Sequence, residues 1–189
     1  MNAPLTPANI TGATRREVVV SATLVGGALL VGCSPGDLLS VGAKTEFGAF
    51  GPFIKIGADG AVTVVSKHIE FGQGNHAGLA AIVAEELDAD WTKVKVEQAP
   101  AIAKVYANTG MGVQGTGGSS AISNSWDQLR KAGASARAMF VEAAANKWSA
   151  PVGEISVKDS VVSHAGSAKS ATFAELLPDA AKVTPPAAP

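Results

Sequence analysis

Two glycine-rich segments hold the residue types best suited to chemistry, Phe71–His76 (FGQGNH) and Thr109–Ser120 (TGMGVQGTGGSS). Each runs into a stretch with helical spacing. Glycine lets backbone N–H groups crowd around an anion, and a helix N-terminus adds a favourable dipole. Gly72, Gln73 and Gly74 in the first segment, and Gly118, Ser119 and Ser120 in the second, offer many neutral donors and no lysine. Two such turns in one chain point to a phosphate-bearing cofactor.

Taken singly, each turn is a weak signal. Gly72–Ala77 fits the loose dinucleotide fingerprint G-x-G-x-x-A, and Gly110–Gly115 fits G-x-G-x-x-G. The strand before the first turn already has a hairpin partner, and polar Lys67, His68 and Glu70 separate that strand from the turn. A Rossmann unit begins with a central parallel strand instead. The second turn follows Tyr106–Thr109, which does not read as a strand, and no GK[ST] marks a P-loop. Rossmann-like nucleotide binding and plain tight loops in a packed domain both stay open at this level.

Other constellations are thinner. His68, His76 and His164 lack metal-ligand spacing. Glu85 and Glu86 sit on one helix and do not face a common substrate, and Glu86 falls on its apolar side. Ser119 and Ser120 have no nucleophile-elbow context. No catalytic residue is assigned.

The elements that position the turns follow from hydrophobic periodicity. Pro52–Ile56 and Ala61–Ser66 flank Gly57–Gly60 and predict a β-hairpin. A helix is expected over His76–Leu87, stopped by Asp88–Asp90, then a half-exposed strand over Trp91–Gln98. The longest helical pattern runs from about Ser120 to Trp148, and its alanine-rich face suits close packing on another element. Pro151 breaks it. A second hairpin pairs Ile155–Val157 with Val161–Ser163, and Thr172 caps a short helix with Phe173, Leu176 and Leu177. The fold class is α+β, with β-hairpins and a mixed sheet packed against one medium and one long helix.

The 189 residues are 47% hydrophobic and 16% charged, enough for one domain with a normal core. A net charge of -1 gives no support for nucleic-acid binding. Arg15-Arg16 before a mild apolar run, Val18–Val31, resembles a twin-arginine export signal over 1–33. Leu30–Cys33 resembles a lipoprotein box, with Cys33 as the lipidated residue. Cys33 is the one cysteine, so no disulfide, zinc knuckle or iron–sulfur cluster arises within the chain. Residues 34–50 read as a linker and 183–189 as a tail.

The order of segments carries a resemblance. GAVTVV at 60–65, EFGQGNH at 70–76, AEELD at 84–88, VKV at 94–96, TGGSS at 116–120, LRKAGA at 129–134 and AAA at 143–145 with Trp148 succeed one another. Together they resemble the molybdopterin-binding large subunit of the xanthine dehydrogenase family, in particular isoquinoline 1-oxidoreductase β subunits and aldehyde-oxidising relatives. The resemblance covers about residues 50–182, so 51–182 is expected to be part of a molybdopterin-binding domain.

The resemblance implies molybdopterin cytosine dinucleotide as cofactor and hydroxylation of N-heterocycles or oxidation of aldehydes. It implies a partner small subunit with [2Fe–2S] clusters, the remainder of the large subunit, and a c-type cytochrome as acceptor. Gln73 is implied to bond the cofactor through its amide, and Gly118, Ser119 and Ser120 to donate to its pyrophosphate or pterin. The family's catalytic glutamate lies in a Gly-Glu motif far toward the C-terminus of such subunits, beyond the matched stretch. The expectation is a partial subunit, periplasmic and inactive alone. The alternatives are a lipid-anchored periplasmic binding module without cofactor, and a Rossmann-like nucleotide binder.

Overall fold

Alternation and burial set the first sheet. Strand β1 (Ile54–Ile56) pairs antiparallel with β2 (Val62–Ser66), Ile54 opposite Val64. Asp59 shapes the intervening turn, its carboxylate accepting the Ala61 N–H at 3.0 Å. Four of the five residues of β2 are buried, so both of its faces are covered. Its second neighbour is β3 (Val94–Gln98), parallel to it with Val62 opposite Val94. A parallel pair needs a crossover. Helix α1 (Asn75–Leu87) supplies it. The computed structural model describes residues 47–189; the signal expected over 1–33 with Cys33, and most of the linker over 34–50, lie outside the described residues.

The first half of the strand expected over Trp91–Gln98 is a 3₁₀ turn, Trp91–Lys93, capped by Asp90. A four-residue helix, α2 (Ala103–Tyr106), precedes the second glycine turn. Helix α3 (Ala121–Trp148) is the spine. Its small-residue face is covered from within: a Cβ on Gly133 would stand 2.8 Å from Glu86 Cβ and 3.0 Å from the Val83 carbonyl oxygen of α1.

The second sheet is antiparallel throughout, β4 (Ile155–Lys158), β5 (Val161–His164) and β6 (Lys169–Thr172). β6 escaped the sequence reading because KSAT has no apolar alternation. Helix α4 (Phe173–Ala180) starts on the Thr172 capping box. Phe140 of α3 stacks on Phe173 at 4.2 Å and on Phe50 at 5.4 Å. Ser160, in the turn between β4 and β5, ties the second sheet to the segment after α1, donating its N–H to Asp88 O and accepting the Asp90 N–H at its hydroxyl, both at 2.8 Å. Burial of Leu79, Val83 and Leu87 on α1 stabilises by about 1.5–3 kcal/mol each.

Candidate functional site

The first glycine turn closes on itself. Gly72 and Gly74 have φ of 105° and 80°, values that favour residues without Cβ, and they turn their N–H groups inward. The anion they meet belongs to the chain. One Glu70 oxygen accepts from Gly72 N–H at 2.7 Å and from Gly74 N–H at 2.9 Å, and the other accepts from His76 N–H at 3.0 Å. These bonds, that from His76 foremost, hold the Glu70 carboxyl at about 2. Gln73 spans the same loop. Its Oε1 accepts the Phe71 N–H at 2.8 Å and its Nε2 donates to Ile69 O at 2.7 Å. A primary amide has two donors and two acceptor sites, so exposed Gln73 keeps one of each free.

The second turn is built around buried Asn108. Its Nδ2 donates to Ser120 Oγ at 3.0 Å, and its Oδ1 accepts the Gly110 N–H at 3.0 Å. Ser120 Oγ in turn donates to Gly117 O at 2.8 Å. Ser119 is left-handed at φ 54°, directly after left-handed Gly118. Among the described residues no side chain caps the N-terminus of α3. An open cleft of about 550 Å³ lies there, lined among others by Asn108, Gly117, Gly118, Ser120 and Asn124.

The two turns meet. The Ile69 N–H donates to Thr116 Oγ1 at 2.9 Å, and His68 Nδ1 lies 3.4 Å from the same oxygen. A Cβ on Gly78, in the first turn of α1, would stand 2.8 Å from Ile122 Cδ1, in the first turn of α3. Together with the contact of Gly133 on Glu86, this shows α1 and α3 running in the same direction, with their N-termini at one end. The structure therefore brings Gly72, Gln73, Gly74, Gly118, Ser119 and Ser120 onto neighbouring segments. Gly118 and Ser120 line the cleft, whereas Gln73 serves its own loop.

Two residues at this junction drew no role from sequence. Lys67 is buried, its ammonium held by Gln128 Oε1 at 2.9 Å and by the Ala107 and Asn124 carbonyls at 3.4 Å, with no carboxylate partner among the described residues. Burial pushes its pKa down. His68 is fully buried, and burial with nearby Lys67 lowers its pKa as well. The signal lay in the polar run Ser66–His68 at the end of an apolar strand. Among the described residues, the buried side-chain atoms without a hydrogen-bond partner are His68 Nε2, Asn75 Oδ1 and Ser125 Oγ. All three lie at the end where the turns meet.

Exposed apolar side chains gather on the same segments: Ile69, Phe71, Met111, Val113, Ile122 and Trp126, with Phe71 74% exposed. Elsewhere, His164 links Glu154 and Ser167 at 2.8 Å each. Both partners are exposed. That set staples the turn after β5. Among the described residues no group of three His, Cys, Asp or Glu stands close enough to hold a metal ion.

A family model described as a molybdopterin cofactor-binding domain matches residues 26–187. The chain is 44% identical over 126 residues to the isoquinoline 1-oxidoreductase subunit beta of Brevundimonas diminuta, covering 66% of this chain and 16% of that protein. It is 35% identical over 132 residues to the membrane-bound aldehyde dehydrogenase [pyrroloquinoline-quinone] of Gluconacetobacter polyoxogenes, covering 69% and 16%. The chain thus spans about a sixth of the length of these relatives. In fold it is similar to quinoline 2-oxidoreductase from Pseudomonas putida 86, with a TM-score of 0.51 and 24% identity over 72% of this chain and 17% of that one.

Proposed function

This chain belongs to the molybdopterin cofactor-binding domain family, and from that premise we propose that it forms one wall of the cofactor site of an exported molybdenum hydroxylase large subunit. The observation that carries the reading is the gathering of His68 Nε2, Asn75 Oδ1 and Ser125 Oγ, buried and unpaired, where the two glycine turns meet. A buried unpaired polar atom costs about 1–3 kcal/mol. Three at one end leave polar groups beneath the glycine turns for which this chain supplies no partner, which fits a large cofactor rich in acceptors and donors.

The residues divide the work. The N-terminus of α3 and the free N–H groups of Gly118 and Ser119 suit the pyrophosphate of molybdopterin cytosine dinucleotide, with Ser120 holding the turn in shape through its own bonds to Gly117 O and Asn108. Gln73 brings its free amide hydrogen and lone pair. Glu70 fills the slot of the first turn, so that turn holds no pyrophosphate, which argues against a Rossmann-type reading of Gly72–Ala77. When bound, the cofactor supplies the two-electron redox centre for oxidising an N-heterocycle or an aldehyde. The chain's residues bind and orient it, and no catalytic residue falls within them.

The remaining assignments rest on the same premise. The exposed apolar set around Phe71 and Trp126 faces the remainder of the large subunit. A small subunit with [2Fe–2S] clusters carries electrons away, in keeping with the name of the isoquinoline relative as a subunit, and a c-type cytochrome accepts them. Export by the twin-arginine route, with lipid on Cys33, places the complex in the periplasm at the membrane, in keeping with the membrane-bound aldehyde dehydrogenase relative. No helix of the described residues is long and apolar enough to cross a membrane. The test is co-expression with the remainder of a large subunit and the small subunit, followed by metal analysis. Ser120→Ala and Gln73→Ala are expected to lower molybdenum content, and unchanged content in both sinks the assignment.

A further inference from the structure

We propose that Glu70 is the built-in anion of the first glycine turn, closing it to outside phosphate and thereby positioning the Gln73 amide. The functional weight of this rests on the reading of Gln73 given above. The local argument stands on the geometry of the loop.

Three N–H groups, from Gly72, Gly74 and His76, converge on one carboxylate at 2.7–3.0 Å. Converging N–H dipoles at the start of a 13-residue helix repel one another unless an anion sits among them. In a loop that waits for a ligand, that anion comes from outside and the empty loop is loose. Here it comes from two residues upstream of the first glycine, so the loop folds before any cofactor arrives. Once the carboxylate is seated, the chain from Ile69 to Gly74 is fixed at both ends. Ile69 O then receives Gln73 Nε2 at 2.7 Å and Asn75 Nδ2 at 2.9 Å, and Phe71 N–H reaches Gln73 Oε1. The Gln73 amide is thereby held in one orientation, its free donor and acceptor aimed the same way in every molecule. Preorganisation of this kind removes the ordering cost that a mobile glutamine incurs on binding. The low carboxyl pKa agrees with a seated anion.

The test uses the 189-residue chain without cofactor, with backbone and Gln73 side-chain amide resonances recorded while inorganic phosphate is added at constant ionic strength. In the wild type, the Gly72, Gly74 and His76 amides are expected not to respond to phosphate. In Glu70→Ala they shift saturably with phosphate but not with chloride, and bound phosphate restores the wild-type Gln73 side-chain resonances. Glu70→Gln, of equal size and without charge, gives the same pattern and serves if the alanine variant does not fold; Glu70→Asp restores part of the wild-type behaviour. Phosphate-responsive amides in the wild type overturn the proposal, as do wild-type Gln73 resonances in both Glu70→Ala and Glu70→Gln. Molybdenum content of the assembled complex separates the two readings. If Gln73→Ala keeps its molybdenum, the cofactor role of Gln73 falls while the Glu70 result stands.

Discussion

Gly133 sets how closely α1 and α3 approach, and that approach is what places the two glycine turns side by side. Two physical effects oppose each other when Gly133 becomes alanine. In a helix interior, alanine is better than glycine by about 1 kcal/mol. Against this, the new Cβ would lie 2.8 Å from Glu86 Cβ and 3.0 Å from Val83 O, neither of them the free end of a flexible side chain. Helix α1 would have to move by several tenths of an ångström, and overpacking of this kind costs about 1–3 kcal/mol. The net expectation is a change between about zero and a 2 kcal/mol loss. Gly133→Val removes most of the propensity gain and adds two methyls, so a loss of about 2–3 kcal/mol is expected. Urea unfolding at 25 °C reads both, with a midpoint lowered by about 1–1.5 M for valine at a slope of about 2 kcal/mol/M. The Ile69 N–H bond to Thr116 Oγ1 is expected to weaken in parallel, seen as faster amide exchange at Ile69. If Gly133→Ala instead stabilises by the full propensity term and Gly133→Val changes nothing, the close-approach reasoning is wrong.

Three further outcomes follow from the same contacts. His68 has a pKa lowered from 6.5 by burial, so the unfolded chain takes up its proton more readily than the folded one; stability is whole above about pH 6.5 and declines as the pH falls below it. His68→Gln is expected to flatten the slope of urea-derived stability between pH 7 and pH 5. Asn108→Ala leaves the Gly110 N–H and Ser120 Oγ without their partner, with an expected loss of about 1–3 kcal/mol and faster exchange confined to residues 109–120. Phe140→Ala empties the stack between Phe50 and Phe173 and is expected to lower stability by about 3–5 kcal/mol in the same assay, with no change in the amide resonances of Gly72 and Gly74.

Much of the fold was legible because its signals are local. The alternation in Val62–Ser66, the helical spacing from Leu79 to Leu87 and the capping residue Thr172 each announce their element, and the structure places each within a few residues. The α+β class was read from these elements, and the fold likeness to quinoline 2-oxidoreductase agrees with it; the molybdopterin-binding character was read from the order of motifs, and the family match agrees with that. What stayed hidden depends on long-range pairing. That β2 is central, with β3 parallel to it, follows from packing α1 over both strands, which no local period reports. β6 is held by pairing with β5 rather than by its own composition.

At the site, sequence pointed to glycine turns and the structure joins them. It did not reveal that Glu70 is the anion of the first turn, because a glutamate two residues before a glycine is ordinary in sequence and meaningful only once φ at Gly72 and Gly74 is known. Lys67 and His68 were read as spacers and are buried instead. The small-residue face of α3 suits close packing, and α1 supplies it at Gly133; the exposed apolar side chains lie on the glycine turns and at Ile122 and Trp126 near the start of α3.

The central claim is that the second turn and Gln73 form one wall of a cofactor site, and amide hydrogen exchange on the assembled subunit, with and without its cofactor, tests it most directly. The account predicts that cofactor loading slows exchange at Gly117–Ser123 and at the Gln73 side chain, while β4–β6 exchange alike in both forms. Equal exchange at Gly117–Ser123 in the loaded and empty forms, or protection confined to the second sheet, would contradict it.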